Sequence, residues 1–215
     1  GHDVSVIARG PHLAAIREAG LRLKTGGEML SAQVSASDDA ARFGVQDAVI
    51  VATKATALPA IASRMKPLVG RDTLVIFPQN GMTWWYPIGL PDTHPKPPAI
   101  PIFDLAKDFL AAMRPDQVIG GIIYSANEIE EPGVVKNNSP GHNRMEIAAI
   151  GKQQPGEVAS MRQELERAGI LSPDPGDIRT AVWTKLVNNM SGSTIGLATR
   201  GTSDGARKDP ALSHI

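Results

Sequence analysis

Two apolar segments decide the fold of this chain: residues 47–54 read DAVIVATK, and residues 73–80 read TLVIFPQN. Short apolar runs bounded by polar and turn residues are typical of strands that are buried on both faces. Strands of this kind that alternate with helical patterns indicate a doubly wound, mainly parallel sheet. The sequence therefore predicts an α/β fold of the Rossmann type. Lys54 and Asn80 then lie beyond the carboxyl ends of two strands, where open α/β sheets bind their ligands.

The same pattern continues along the rest of the chain. The predicted strands are residues 3–8, 21–24, 29–36, 47–53, 73–77, 118–124, 133–136 and 145–150, and the predicted helices are residues 11–19, 55–68, 103–113, 156–168 and 177–197. A Pro-rich segment at residues 87–101 predicts a surface loop. The Pro-Asp-Pro-Gly turn at residues 173–176 predicts a domain boundary. We expect a dinucleotide-binding domain over 1–175 and the start of an all-helical domain over 176–215.

The last predicted helix carries two polar residues on one face. Lys185 and Asn189 stand four positions apart, which is slightly more than one helical turn. A fixed ammonium and nearby amides are groups that a carbonyl reduction needs, because negative charge develops on the carbonyl oxygen. The alternative for this pair is the polar stripe of an amphipathic helix. Likewise, Asn80 could serve only a turn, and Lys54 could be a solvated charge at a strand end.

Composition argues against several classes of protein. The chain has 22 basic and 22 acidic residues, so its formal charge is zero, and it shows no block of like charge. It therefore lacks the concentrated positive charge of a protein that binds nucleic acid or an anionic membrane. It has no cysteine, which rules out disulfides and thiolate sites and fits a cytoplasmic location. Its histidines are scattered without metal-ligand spacing, so no metal site is predicted.

Arg9 follows the first predicted strand. A site for NAD usually has an acidic residue there for the ribose hydroxyls, whereas an arginine suits the 2′-phosphate of NADP. The alternative is a solvated arginine at a strand end, and the setting of strand, Arg9, Gly10 and Pro11 tips the balance slightly towards NADP.

Taken together, these residues identify a family. The chain resembles the 2-dehydropantoate 2-reductase (ketopantoate reductase) family over nearly its whole length. The resemblance is carried by VATK at 51–54, QNGM at 79–82, the pair Gly120-Gly121, EPGVV at 131–135 and VWTKLVNN at 182–189. In that family a Gly-rich strand and helix precede the equivalent of residues 1–4. We therefore expect this chain to lack that first βα unit and most of the C-terminal helical domain.

The resemblance implies an enzyme of pantothenate biosynthesis that reduces a 2-keto acid, 2-dehydropantoate, with NADPH. It implies that Lys185 is the catalytic lysine and that Asn80 lies near nicotinamide and substrate. By the same resemblance, Asn189 binds the substrate, Lys54 lies near the cofactor, and Arg9 faces the 2′-phosphate.

Some features depart from the family pattern. Ser193 stands where the family commonly has a second asparagine on the catalytic helix, so Ser193 is predicted to bind the substrate. The aromatic run at 84–86 and Ser193 favour an alternative, a reductase of the same fold that acts on another 2-keto or hydroxy acid. A third reading is a non-catalytic sensor that binds NADPH. The sequence leaves the oligomeric state open, a homodimer included.

Overall fold

The structure is a computed structural model of the chain. It describes residues 1–151 and 155–199, with the backbone alone at 155 and 192–199. The strands are β1 (Ser5–Ile7), β2 (Leu21–Thr25), β3 (Glu28–Ala32), β4 (Ser35–Ser37), β5 (Gln46–Ile50), β6 (Val69–Phe77), β7 (Val118–Ile123), β8 (Asn127–Glu131), β9 (Val134–Asn137) and β10 (Met145–Ala149). The α-helices are α1 (Gly10–Ala19), α2 (Leu58–Ala62), α3 (Leu105–Leu110), α4 (Pro155–Arg167) and α5 (Ile178–Thr199).

The predicted parallel sheet forms the centre of the molecule. This central sheet has the order β10-β7-β6-β5, in which β5, β6 and β7 are parallel and β10 is antiparallel to β7. One face packs against buried side chains of α2, α3 and α5, and the other packs against α4. Helices on both faces explain why the strands read as continuous apolar runs. The predicted Rossmann-type α/β fold is confirmed.

A second sheet lies outside this layer. This outer sheet has the order β3-β2-β9-β8, and in it β2 pairs in parallel with β9. All residues of β3 and β8 are exposed. Cross-strand ion pairs lie on it, with Lys24 Nζ 3.0 Å from Glu130 Oε1 and Lys136 Nζ 3.3 Å from Glu128 Oε1. β1 and β4 form a separate parallel pair, the β1–β4 pair.

Two local predictions differ from the structure, and one strand was not predicted. The predicted strand 29–36 is divided between β3, which pairs with β2, and β4, which pairs with β1. The predicted helix 55–68 is reduced to α2 between two short 3₁₀ segments, because Pro59 and Pro67 each start a new helical segment and donate no N–H. β8 was not predicted, since its sequence, NEIEE, has one apolar residue and that residue is exposed.

No helix among the described residues is long and apolar enough to cross a bilayer. Those residues also bring no three His, Asp or Glu side chains together in a way that could hold a metal ion.

Candidate functional site

The carboxyl ends of β5, β6 and β7 meet at one edge of the central sheet, because the three strands are parallel and adjacent. Lys54 lies beyond β5, Asn80 beyond β6 and Tyr124 directly after β7. The side chains of Lys54 and Asn80 are exposed there, and that of Tyr124 is partly buried. This edge is the candidate site.

Gln79 fixes the two strand ends that carry Lys54 and Asn80. Its side chain is only 7% exposed, and its Nε2 donates to the carbonyl oxygens of Val51 and, at 3.3 Å, Thr53. The chain that leaves β6 is therefore tied to the chain that leaves β5. Sequence reasoning assigned Gln79 no role. The available signal was an amide two residues after an apolar strand, where burial would require a hydrogen-bond partner.

Asn80 is tied to the next strand. Its Oδ1 accepts a hydrogen bond from the backbone N–H of Ile123, at 3.2 Å. Ile123 is the last residue of β7 and immediately precedes Tyr124. Gly81 follows with φ of +92°, a left-handed conformation that a glycine adopts without steric cost. The turn at 80–81 thus holds the Asn80 side chain against the end of β7.

The first turns of α5 place Lys185 over this same strand end. Ile178 and Val182 are buried in the core that lies against the central sheet. Lys185 follows them at helical spacing, so it lies on the docked side of α5. Its Nζ is 4.2 Å from the centroid of the Tyr124 ring, within the range of a cation–π contact. Asn80 and Lys185 therefore converge on adjacent residues, Ile123 and Tyr124.

A cap fixes where α5 begins. The Asp177 carboxylate accepts hydrogen bonds from the backbone N–H of Arg179 at 3.1 Å and of Thr180 at 3.2 Å, and from the Thr180 hydroxyl at 2.7 Å. This is N-capping, which satisfies donors that the first turn of a helix leaves free. Burial acts to raise the pKa of Asp177, but these hydrogen bonds outweigh it, and the pKa lies below its ordinary value.

Two charged groups at the start of β10 complete the surroundings of Tyr124: Glu146 lies on the strand, and Arg144 directly precedes it. The guanidinium carbon of Arg144 is 5.2 Å from the Tyr124 ring centroid, and Arg144 pairs at 2.5 Å with Glu146. Glu146 is 5% exposed, an unusual position for a carboxylate unless it is paired. Burial, followed by the negative charge of Glu146, raises the pKa of Tyr124, although Arg144 opposes this rise. The phenol is therefore neutral around pH 7. Sequence reasoning missed all three residues.

The remaining predicted residues are Asn189, Ser193 and Arg9. Asn189 is exposed, one turn beyond Lys185 on α5. Ser193 lies in α5, where the structure describes the backbone but not the side chain. Arg9 is exposed between β1 and α1, and its carbonyl oxygen accepts the first hydrogen bond of that helix, from Leu13. It follows β1 of the β1–β4 pair, and no hydrogen-bonded ladder joins that pair to the central sheet in the described part of the chain.

The two tryptophans of the aromatic run lie in the core. Trp84 and Trp85 are each 0% exposed, and the Trp84 ring stacks on Phe109 with centroids 4.5 Å apart. Gly120 in β7 explains part of this packing, since a Cβ there would meet Trp85 at 2.6 Å and Ile178 at 3.0 Å. The run therefore supports the sheet and the start of α5.

An open cleft of about 770 Å³ lies between the Pro-rich loop and the first turns of α5. Trp183 lines it, with its indole N–H donating to the Tyr86 hydroxyl at 2.9 Å. Trp183 and Lys185 stand two positions apart, so they point about 160° apart around α5. The cleft is therefore separate from the candidate site.

Comparisons with known proteins show which chains this one is similar to. The family model described as "Ketopantoate reductase PanE/ApbA" matches residues 1–86. A 2-dehydropantoate 2-reductase of Mesorhizobium japonicum is 34% identical over 93% of this chain and 60% of its own length. A solved structure from Ralstonia solanacearum MolK2, assigned to the ketopantoate reductases, is 30% identical with a TM-score of 0.82, covering 98% of this chain and 64% of that one.

More distant structures share the fold alone. A D-mandelate dehydrogenase solved with NADH and anilino(oxo)acetate has a TM-score of 0.72 at 20% identity, over 93% of this chain and 57% of its own. The chain spans about 60% of the length of the curated relatives it matches. The fold and these relatives agree with the motifs quoted from the sequence, and the chain is similar to ketopantoate reductases over nearly its whole length.

Proposed function

We propose that the full-length protein reduces a 2-keto acid with NADPH, and that 2-dehydropantoate, which is reduced to pantoate, is its substrate. One observation carries the proposal: the Lys185 ammonium lies at the carboxyl end of β7, beside the residue that holds Asn80. A cation and an amide that converge at the ligand-binding edge of an α/β sheet suit a carbonyl whose oxygen becomes negative.

The chemistry assigned to the site residues follows from their charge. A bound nicotinamide cofactor would supply the hydride. As the keto carbon is reduced, the electron pair of the C=O π bond moves to oxygen. Lys185 stabilises that charge and donates the proton that converts the alkoxide to a hydroxyl group. Asn80 supplies an amide near the reacting carbonyl, and Asn189, one turn along α5, supplies another for the acid. Ser193 is assigned to the same substrate shell.

Two exposed cations, one of them at this edge, fit a nicotinamide dinucleotide. Lys54 is exposed beyond β5 and offers a cation to an anionic cofactor. Arg9 is exposed between β1 and α1, so its guanidinium is accessible to a phosphate. A planar guanidinium matches phosphate geometry, which supports NADPH over NADH.

The same proposal includes the division into domains, the location of the enzyme and the class of its substrate. Residues 1–175 form the cofactor-binding domain, and residues 176–215 begin the helical substrate domain. The enzyme acts in the cytoplasm on a small keto acid.

Two alternatives lead to different results in one assay. The aromatic run and Ser193 favour the first alternative, a reductase of another 2-keto acid. Because Trp84 and Trp85 are buried in the core, the aromatic run no longer supports it. A non-catalytic NADPH sensor has no need for the convergence of Lys185 and Asn80.

The test is NADPH oxidation by the full-length gene product, followed by absorbance, with ketopantoate and a panel of other 2-keto acids. NADH is run in parallel, and Arg9→Ala is compared with the wild type. We expect NADPH-selective turnover of ketopantoate, with the selectivity reduced in Arg9→Ala. Turnover of only another keto acid would contradict the substrate. NADPH binding without turnover of any acid would contradict the enzyme and favour the sensor.

A further inference from the structure

We propose that Tyr124 is a positioning residue that holds the ammonium of Lys185 over the end of β7, and that Arg144 and Glu146 hold the Tyr124 ring in place. This inference rests on the proposed function, since it assigns Tyr124 a role through Lys185. It goes beyond the sequence motifs, none of which includes Tyr124, Arg144 or Glu146.

The first support is the contact itself. The Lys185 side chain has many rotatable bonds, and no ion pair with an acidic side chain fixes it in the described part of the chain. Its Nζ nevertheless lies 4.2 Å from the centroid of the Tyr124 ring. An aromatic face attracts an ammonium without neutralising it. A carboxylate at the same place would form a salt bridge and compete with a carbonyl oxygen for the same proton donor.

The second support is that the Tyr124 backbone is fixed on both sides. Its N–H donates to the Arg144 carbonyl oxygen at 2.9 Å. The N–H of the preceding residue, Ile123, donates to Asn80 Oδ1 at 3.2 Å. The same short segment thus holds the amide of Asn80 and carries the ring that contacts Lys185. The end of β7 therefore sets the position of the Asn80 amide relative to the Tyr124 ring.

The third support is the charge around the ring. The Arg144 guanidinium also contacts the ring, at 5.2 Å, and would repel Lys185 if it were unpaired. Its pairing with the buried carboxylate of Glu146 offsets that charge. Burial and the charge of Glu146 raise the pKa of Tyr124, so the ring that faces Lys185 belongs to a neutral phenol.

A direct test uses NMR of the full-length gene product with ¹³C-dimethylated lysines. The Lys185 resonance is assigned by its loss in Lys185→Arg. A methyl group near the face of an aromatic ring is shifted upfield, so we expect Lys185 to lie upfield of the exposed Lys66 and Lys107. The shift should persist in Tyr124→Phe and vanish in Tyr124→Leu. An unshifted Lys185 resonance in the unmutated protein overturns the proposal.

Kinetics separate this inference from the proposed function. Tyr124→Leu should lower kcat about tenfold, the loss expected from one cation–π contact, and leave the KM for NADPH unchanged. Tyr124→Phe should restore kcat, and Phe103→Leu, which removes a ring that stacks on Tyr86 instead, is the control. Wild-type kcat in Tyr124→Leu, beside an inactive Lys185→Met, overturns the positioning role alone. Turnover that survives in Lys185→Met overturns the proposed function and the positioning role with it.

Discussion

The central sheet and the outer sheet have the same number of strands but are stabilised differently. β7 in the central sheet is buried over five of its six residues, whereas β3 and β8 in the outer sheet are exposed throughout. The central sheet is covered by helices on both faces, and the outer sheet carries cross-strand ion pairs. Burial contributes far more free energy than exposed ion pairs do.

That difference explains where the site lies. Lys54, Asn80 and Tyr124 all follow strands of the central sheet, whose ends are fixed by packing and by the buried amide of Gln79. Groups that act on one carbonyl must be held within a fraction of an ångström, which suits rigid elements. The exposed strands of the outer sheet carry charged side chains that are not held in place by packing of this kind.

The largest expected effect compares one apolar strand residue from each sheet. Phe77, at the end of β6, is fully buried and contacts the rings of Trp84 and Phe109. Phe77→Ala should lower the free energy of unfolding by about 3–5 kcal/mol through the cavity it leaves. Ile129 on β8 is 65% exposed, and Ile129→Ala should change the same quantity by no more than about 0.5 kcal/mol. Urea denaturation measures both. Equal losses would contradict the comparison.

A smaller effect tests how closely α5 approaches the central sheet. In Gly120→Ala the added methyl group would meet Trp85 at 2.6 Å and Ile178 at 3.0 Å. We expect the free energy of unfolding to fall by about 1–3 kcal/mol. Gly156→Ala is the matched control, because nothing lies within 4 Å of its Cβ position in α4. A neutral Gly120→Ala would show that α5 is not held against β7 at this point.

The smallest effect concerns the cap of α5. Asp177→Ala should lower stability by about 0.5–2 kcal/mol at pH 7, the range for N-cap losses. The pKa of Asp177 is lowered in the folded state, so its contribution is fully present above the pKa of the unfolded chain. It disappears as the pH falls through the folded-state pKa. Thermal unfolding of both proteins from pH 7 to pH 3 should therefore show the difference shrinking. A difference that stays constant, or one matched by Asp92→Ala in the exposed loop, would contradict this role.

The sequence predicts the central sheet well and the outer sheet poorly, for a physical reason. Burial on both faces leaves a continuous apolar pattern, as in residues 73–77. The pairing of β2 with β9 joins segments more than a hundred residues apart, and exposed strands carry no pattern that names a partner. The candidate site divides in the same way. Lys54, Asn80 and Lys185 stand in recognisable motifs, whereas Arg144 and Glu146 reach Tyr124 only because β10 folds back along β7.

The measurement that tests the central claim most directly is the effect of Lys185→Met on the full-length gene product with ketopantoate. Steady-state turnover and the NADPH dissociation constant are measured on the same preparation. Loss of the cation and proton donor should lower kcat by about 10²- to 10⁴-fold while NADPH binds as before. Wild-type turnover in Lys185→Met would contradict the claim that this lysine acts on the carbonyl oxygen.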